Sequence, residues 1–119
     1  MRNSYIGKRI RGGGYAIKGA FLLLKTEHSI QVQSSIGLLM IIAGWYFDLS
    51  ATEWILQIFA IGFVLGIEGL NTAIEKLADF VHPDFHLKIG FIKDIAAGAV
   101  FFAAITAVII GCIIYIPKF

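Results

Sequence analysis

The chain has 119 residues, ten Lys and Arg against eight Asp and Glu, and 58% hydrophobic residues, with a mean hydropathy of +0.81. Soluble globular proteins carry about 45–50% apolar residues, so this single domain's length of chain is built for an apolar solvent. The net charge of +2 is not spread over a basic, aromatic-interleaved surface, which speaks against nucleic-acid binding, and the single cysteine excludes an intrachain disulfide.

Residues 4–25 mix basic residues (Lys8, Arg9, Arg11, Lys18, Lys25) with Tyr15, Ala16, Ala20, Phe21 and Leu24 at helical spacing. That pattern predicts an amphipathic helix lying in the lipid headgroup region. No apolar run ending in a small-residue cleavage site follows the N-terminal basic residues, so no cleaved signal peptide is expected. Gly12-Gly13-Gly14 costs about 1 kcal/mol per residue relative to Ala in a helix, which predicts a kink or a late start there. A first span is expected over about 29–47, with Ile36 to Phe47 free of basic and acidic residues. A second is expected over about 54–80, apolar from Trp54 to Ile67 and more polar beyond. The third, over about 93–116, is the clearest. Ile95 to Ile116 carries no charge, and about 22 helical residues rise roughly 33 Å, enough to cross a hydrocarbon core. Lys93 and Asp94 are expected to open that helix, where Asp94 suits the dipole, and Pro117 closes it. Cys112, inside the run, reads as a small packing residue. Trp45, Tyr46, Trp54 and Tyr115 read as interface anchors, and Asp48 and Glu53 as ordinary loop acids.

The loops set the orientation. Arg2, Lys8, Arg9, Arg11, Lys18 and Lys25 precede the first span, and Lys76, Lys88 and Lys93 lie around the junction of the second and third. The loop between the first two spans has no basic residue, and the tail has only Lys118. The positive-inside rule then puts the N-terminus and the loop around residues 82–94 in the cytoplasm. The predicted fold is thus an all-α integral membrane protein with three spans and a surface helix.

Chemistry concentrates in the second span. Glu68, Asn71, Glu75 and Asp79 fall at i, i+3, i+7 and i+11, within about 80° of one another on one helix face. A carboxylate in a span costs about 3 kcal/mol on insertion scales, so this stripe implies partners, bound cations or a wet cleft. Glu68 lies about 10 Å deeper than Glu75, suiting it to act as a general base. Glu27, at the mouth of the first span, and Glu75 suit Mg²⁺, which typically takes one or two carboxylates plus phosphate oxygens. Lys93 suits a phosphate. The plainer readings are ion pairing of these acids with neighbouring helices and solvation of His82 and His86, which lack metal-ligand spacing. No P-loop or eukaryotic-kinase motif set is present. The residues alone leave an enzyme site or a small cation-coupled transporter.

The stretch Glu68-Gly-Leu-Asn71-Thr72-Ala73-Ile74-Glu75-x-x-x-Asp79, with Lys93-Asp94-x-Ala96-Ala97-Gly98-Ala99-Val100, closely resembles the prokaryotic diacylglycerol kinase family, which includes the undecaprenol kinases. Gly14-Tyr15-x-x-Lys18-Gly19 and Lys25-Thr26-Glu27 extend the likeness over nearly the whole chain. The resemblance implies an ATP- and Mg²⁺-dependent lipid kinase of the bacterial inner membrane, working as a homotrimer with its site on the cytoplasmic side. It implies that Glu68 takes the proton from the lipid hydroxyl, that Glu27 and Glu75 hold the metal, and that Asn71 and Asp79 support the site. Tyr15, Asp84, Phe85, His86, Lys93 and Asp94 would contact the nucleotide. The acceptor is left open between diacylglycerol and undecaprenol.

Overall fold

A computed structural model describes residues 4–119, so Arg2, counted above among the basic residues, lies outside the described residues. Four helices follow one another: α1 (Tyr5–Thr26), α2 (His28–Tyr46), α3 (Ala51–Val81) and α4 (Leu87–Tyr115), with a 3-10 turn over Ile116–Lys118. No strand occurs among the described residues.

The helix ends have local causes. The Ser4 side chain accepts a hydrogen bond from the Gly7 amide at 3.0 Å, an N-cap that fixes the start of α1. The helix then runs unbroken through Gly12–Gly14. The expected late start is not found, because the cap and the helix-forming residues on both sides outweigh the cost of the three glycines. Glu27, in extended backbone, ends α1 and opens α2. There the Gln31 side chain donates to the Leu24 and Lys25 carbonyls, satisfying groups that a helix C-terminus leaves open.

At the opposite end of the bundle, Asp48 takes a left-handed conformation (φ 53°) in the turn between α2 and α3. Glu53 is not a loop acid. Its carboxylate and the Ser50 hydroxyl form a reciprocal capping box at the start of α3, and it also accepts from Lys118 Nζ at 3.2 Å. Trp45 and Tyr46 are exposed as anchors would be, but Tyr115 is buried. Its hydroxyl donates to Gln57 Oε1, and Gln57 Nε2 donates to the Met40 carbonyl at 3.0 Å. This polar crossbar ties α2, α3 and α4 together, with Leu49 and Ile114 packed around it. Cys112 is exposed on the single chain rather than packed inside it.

The expected opening of the last helix at residue 93 is also corrected. His86 Nδ1 accepts from the Lys88 amide at 3.0 Å, capping α4 so that it begins at Leu87. Lys93 and Asp94 sit about two turns inside, beyond the reach of the N-terminal dipole.

Two helices, α3 and the run Leu87–Lys118, are long and apolar enough to cross a membrane by length and composition. α2 has 19 residues, but its first half carries Gln31, Gln33, Ser34 and Ser35. The radius of gyration is 17.8 Å, against about 13.5 Å for a compact soluble chain of this length, and no large side chain among the described residues is fully buried. With aromatic and branched residues exposed along α3 and α4, these faces need an apolar environment. The molecule is a helical membrane protein.

α2 meets α3 through glycine. A Cβ on Gly44 would stand 2.7 Å from the Trp54 ring and 3.1 Å from Gln57 Nε2, and one on Gly37 would stand 2.9 Å from Ile61 Cγ2. Close backbone approach through small residues is the usual basis of helix association in lipid. Gly44→Val is therefore expected to destabilise the bundle by about 1–3 kcal/mol, as overpacking does. Gly62→Ala, whose Cβ meets nothing within 4 Å, should be neutral within about 0.5 kcal/mol. Thermal midpoints in detergent measure both. Equal midpoints for the two variants would show that the Gly44 contact does not hold the helices together.

Candidate active site

One face of α3 changes from apolar to polar at Glu68. Ala60, Val64, Glu68 and Thr72, four residues apart, are all buried. Glu68 is 7% exposed and makes no hydrogen bond or ion pair among the described residues. Beside it, Leu23 of α1 leans on the α3 backbone, its Cδ1 3.0 Å from where a Gly69 Cβ would be. A carboxylate held in apolar surroundings without a partner is costly. Structural acids in spans are normally paired, and Glu68 departs from that pattern among the described residues.

Toward Asp79 most of the polar groups of this face are paired. Asn71 Nδ2 donates to Glu75 Oε1 at 3.2 Å, and the buried Asn71 Oδ1 has no hydrogen-bond partner. Lys93 Nζ donates to Asp79 Oδ1 at 2.6 Å, joining α4 to α3. Glu27, half-buried at the break between α1 and α2, has Lys76 Nζ 3.6 Å from Oε2. Lys93, expected to meet phosphate, is here the counter-ion of Asp79.

The remaining predicted residues are less tied. Tyr15 and Phe85 are exposed, as are Asp84 and Asp94. Tyr15, Phe85 and Asp94 make no hydrogen bond or ion pair with the acidic stripe among the described residues, and Asp84 is held only through its carbonyl, which accepts from His82 Nδ1 at 2.7 Å. The His86 ring caps α4 and stands edge-on to His82, with centroids 5.3 Å apart, so it is engaged structurally rather than merely solvated.

Two neighbours were not among the residues predicted for the site. Lys76 neutralises Glu27, and the only sequence signal is its position directly after Glu75. Thr72 lies buried one turn from Glu68, where its i+4 spacing was legible.

Among the described residues no group of three or more His, Cys, Asp or Glu side chains comes together as a metal cage. Mg²⁺ delivered with a nucleotide needs only one or two protein carboxylates besides substrate phosphates. Glu27 and Glu75 offer such hard oxygen atoms, so the residues present fit the ion.

Over 104 residues the chain is 35% identical to the undecaprenol kinase of Bacillus subtilis (strain 168), covering 87% of this chain and 85% of that protein. Over 116 residues it is 31% identical to the diacylglycerol kinase of Escherichia coli (strain K12), covering 96% of this chain and 95% of that one. Residues 14–115 match the family described as prokaryotic diacylglycerol kinase. The chain belongs to that family and is a phosphotransferase of the lipid-kinase class.

Proposed function

We propose that the protein transfers the γ-phosphoryl group of ATP to the hydroxyl of a membrane lipid alcohol, either diacylglycerol or undecaprenol. The observation that carries this reading is Glu68, buried and without a partner among the described residues where the face of α3 passes from apolar to polar. That boundary is where a lipid's hydroxyl and a soluble nucleotide can meet. In the proposed mechanism Glu68 accepts the hydroxyl proton as the oxygen attacks phosphorus, and the P–O bond to ADP breaks. Asn71 orients Glu75 through its hydrogen bond. Asp79 holds the Lys93 ammonium within the site, where it is available to phosphate oxygens. Glu27 and Glu75 would hold Mg²⁺, which when bound would neutralise charge on the transferring phosphates. Tyr15, Asp84, Phe85, His86 and Asp94 complete the nucleotide's surroundings.

The same reading makes α2 a third span, supported by its apolar second half from Ile36 to Trp45, and makes α1 the surface helix. Nine of the ten basic residues (all but Lys118) fall on one side in this topology, which supports a site on the cytoplasmic face of the bacterial inner membrane. The exposed apolar faces of α3 and α4 suit association into a homotrimer. The test is phosphorylation of added diacylglycerol or undecaprenol in membrane vesicles of known sidedness. Labelled lipid is expected when Mg-ATP reaches the cytoplasmic face and not when it reaches only the other. Labelling from the opposite face would overturn the orientation, and labelling of neither lipid would overturn the substrate class.

A further inference from the structure

The polar stripe of α3 has an apolar continuation. Val64, Ala60 and Gln57 stand at four, eight and eleven residues before Glu68, on the same face, and they line a groove of about 370 Å³. Gly37 of α2 and Ala104, Ala107 and Gly111 of α4 form its walls. α2 and α4 pack mainly on α3 rather than on each other, which leaves the groove between them. Small residues keep it wide, and a Cβ added at Gly111 meets nothing within 4 Å.

Its two ends differ. Away from Glu68 it is crossed by the Gln57–Tyr115–Met40 hydrogen bonds, whose polar atoms are turned toward one another. At the other end, one turn beyond Val64, stands Glu68, buried and without a partner among the described residues. The distance from Glu68 to Gln57 along the helix is about 16 Å. The volume lies in the range of ligand sites, roughly 300–1,000 Å³.

We propose that this groove holds the first part of a hydrocarbon chain of the lipid alcohol, with its hydroxyl at Glu68, and that the Gln57–Tyr115 crossbar marks where the chain leaves the groove. The inference rests on the lipid-kinase reading and adds a substrate subsite to it. Lipid tails are as apolar as the groove, so the site does not work by extracting the chain from water. It works by placement: a seated chain fixes where the hydroxyl lies relative to the carboxylate, and such positioning is a large part of catalysis between two bound groups.

The test has two arms. Dioleoylglycerol carrying a diazirine in the first third of one acyl chain is photolysed with the protein in nanodiscs, and the adducts are mapped by mass spectrometry. They are expected on Val64, Ala104, Ala107 or Gly111. In the second arm Gly111→Leu and Ala107→Leu each fill the groove. For either variant, kcat/KM for dioleoylglycerol is expected to fall about 10-fold, the scale of a misplaced reacting group, while dihexanoylglycerol and nucleotide binding change less than about 2-fold. Adducts spread over the outward-facing Phe59 and Phe102, or equal losses with both lipids, would overturn the proposal. So would efficient disulfide capture of a second chain by Gly111→Cys with no lipid adducts in the groove. Groove adducts on a protein that phosphorylates no lipid would uphold the subsite and remove the kinase reading instead.

Discussion

Glu68→Gln is expected to lower kcat by at least about 10²-fold, the smaller end of what a positioned base contributes. The substitution keeps size and shape but cannot take up the proton of the attacking hydroxyl. Phosphoryl transfer otherwise depends on positioning and charge neutralisation, and the groups that would supply those, Glu27, Glu75 and Lys93, are untouched. Nucleotide affinity is therefore expected to change little. Assembly should persist as well, because Glu68 forms no hydrogen bond or ion pair among the described residues and is 7% exposed. A neutral amide costs less to bury than a carboxylate, so the thermal midpoint should stay or rise. Lipid phosphorylation, nucleotide binding and oligomer size in detergent, measured on the same preparation, separate the possibilities. Turnover near that of the parent protein would end the base assignment. A misassembled variant with lost turnover would mean that Glu68 is a structural acid.

The contrast between Glu68 and Glu53 shows what the sequence can carry. The 3.6-residue periodicity and the i, i+3, i+7, i+11 spacing of acids were enough to place Glu68, Asn71, Glu75 and Asp79 on one face of α3, because helical geometry alone fixes that relation. Contacts between helices were not legible in the same way. Glu53 read as a loop acid because its capping partner Ser50 lies outside the apolar run, and its second partner, Lys118, is 65 residues away. Tyr115 read as an interface anchor because an aromatic near a span end usually is one. Its burial depends on Gln57, brought opposite by the α2–α3–α4 packing. The start of α4 was misplaced for a local reason: His86 is an uncommon cap, and the charged pair Lys93-Asp94 drew the boundary inward. The groove on the apolar side of Glu68 had no linear signature, because its walls come from three helices.

Glu27→Gln and Glu75→Gln are each expected to raise the Mg²⁺ concentration for half-maximal activity by about 10-fold or more, since losing even an outer-shell partner costs 10–100-fold in metal affinity. Each change removes one hard anionic oxygen from a site that offers few. Added Mg²⁺ should restore part of the rate in either variant, as it would not if the step lost were proton removal. The two carboxylates differ in what competes for them. Glu75 is oriented by a neutral amide at 3.2 Å, whereas Glu27 is faced by the Lys76 ammonium at 3.6 Å. Lys76→Gln removes that competitor and should lower the Mg²⁺ requirement by less than about 5-fold, because the cation is largely exposed and such surface pairs are weak. Asn71→Ala leaves Glu75 charged but unaligned and should raise the requirement. Mn²⁺ binding by paramagnetic resonance, with a non-hydrolysable ATP analogue, follows the same four variants without turnover. Unchanged binding in Glu27→Gln and Glu75→Gln would remove both residues from the metal site. An increase in the requirement for Lys76→Gln would mean that the ammonium helps to hold the nucleotide phosphates instead of occupying the metal's place.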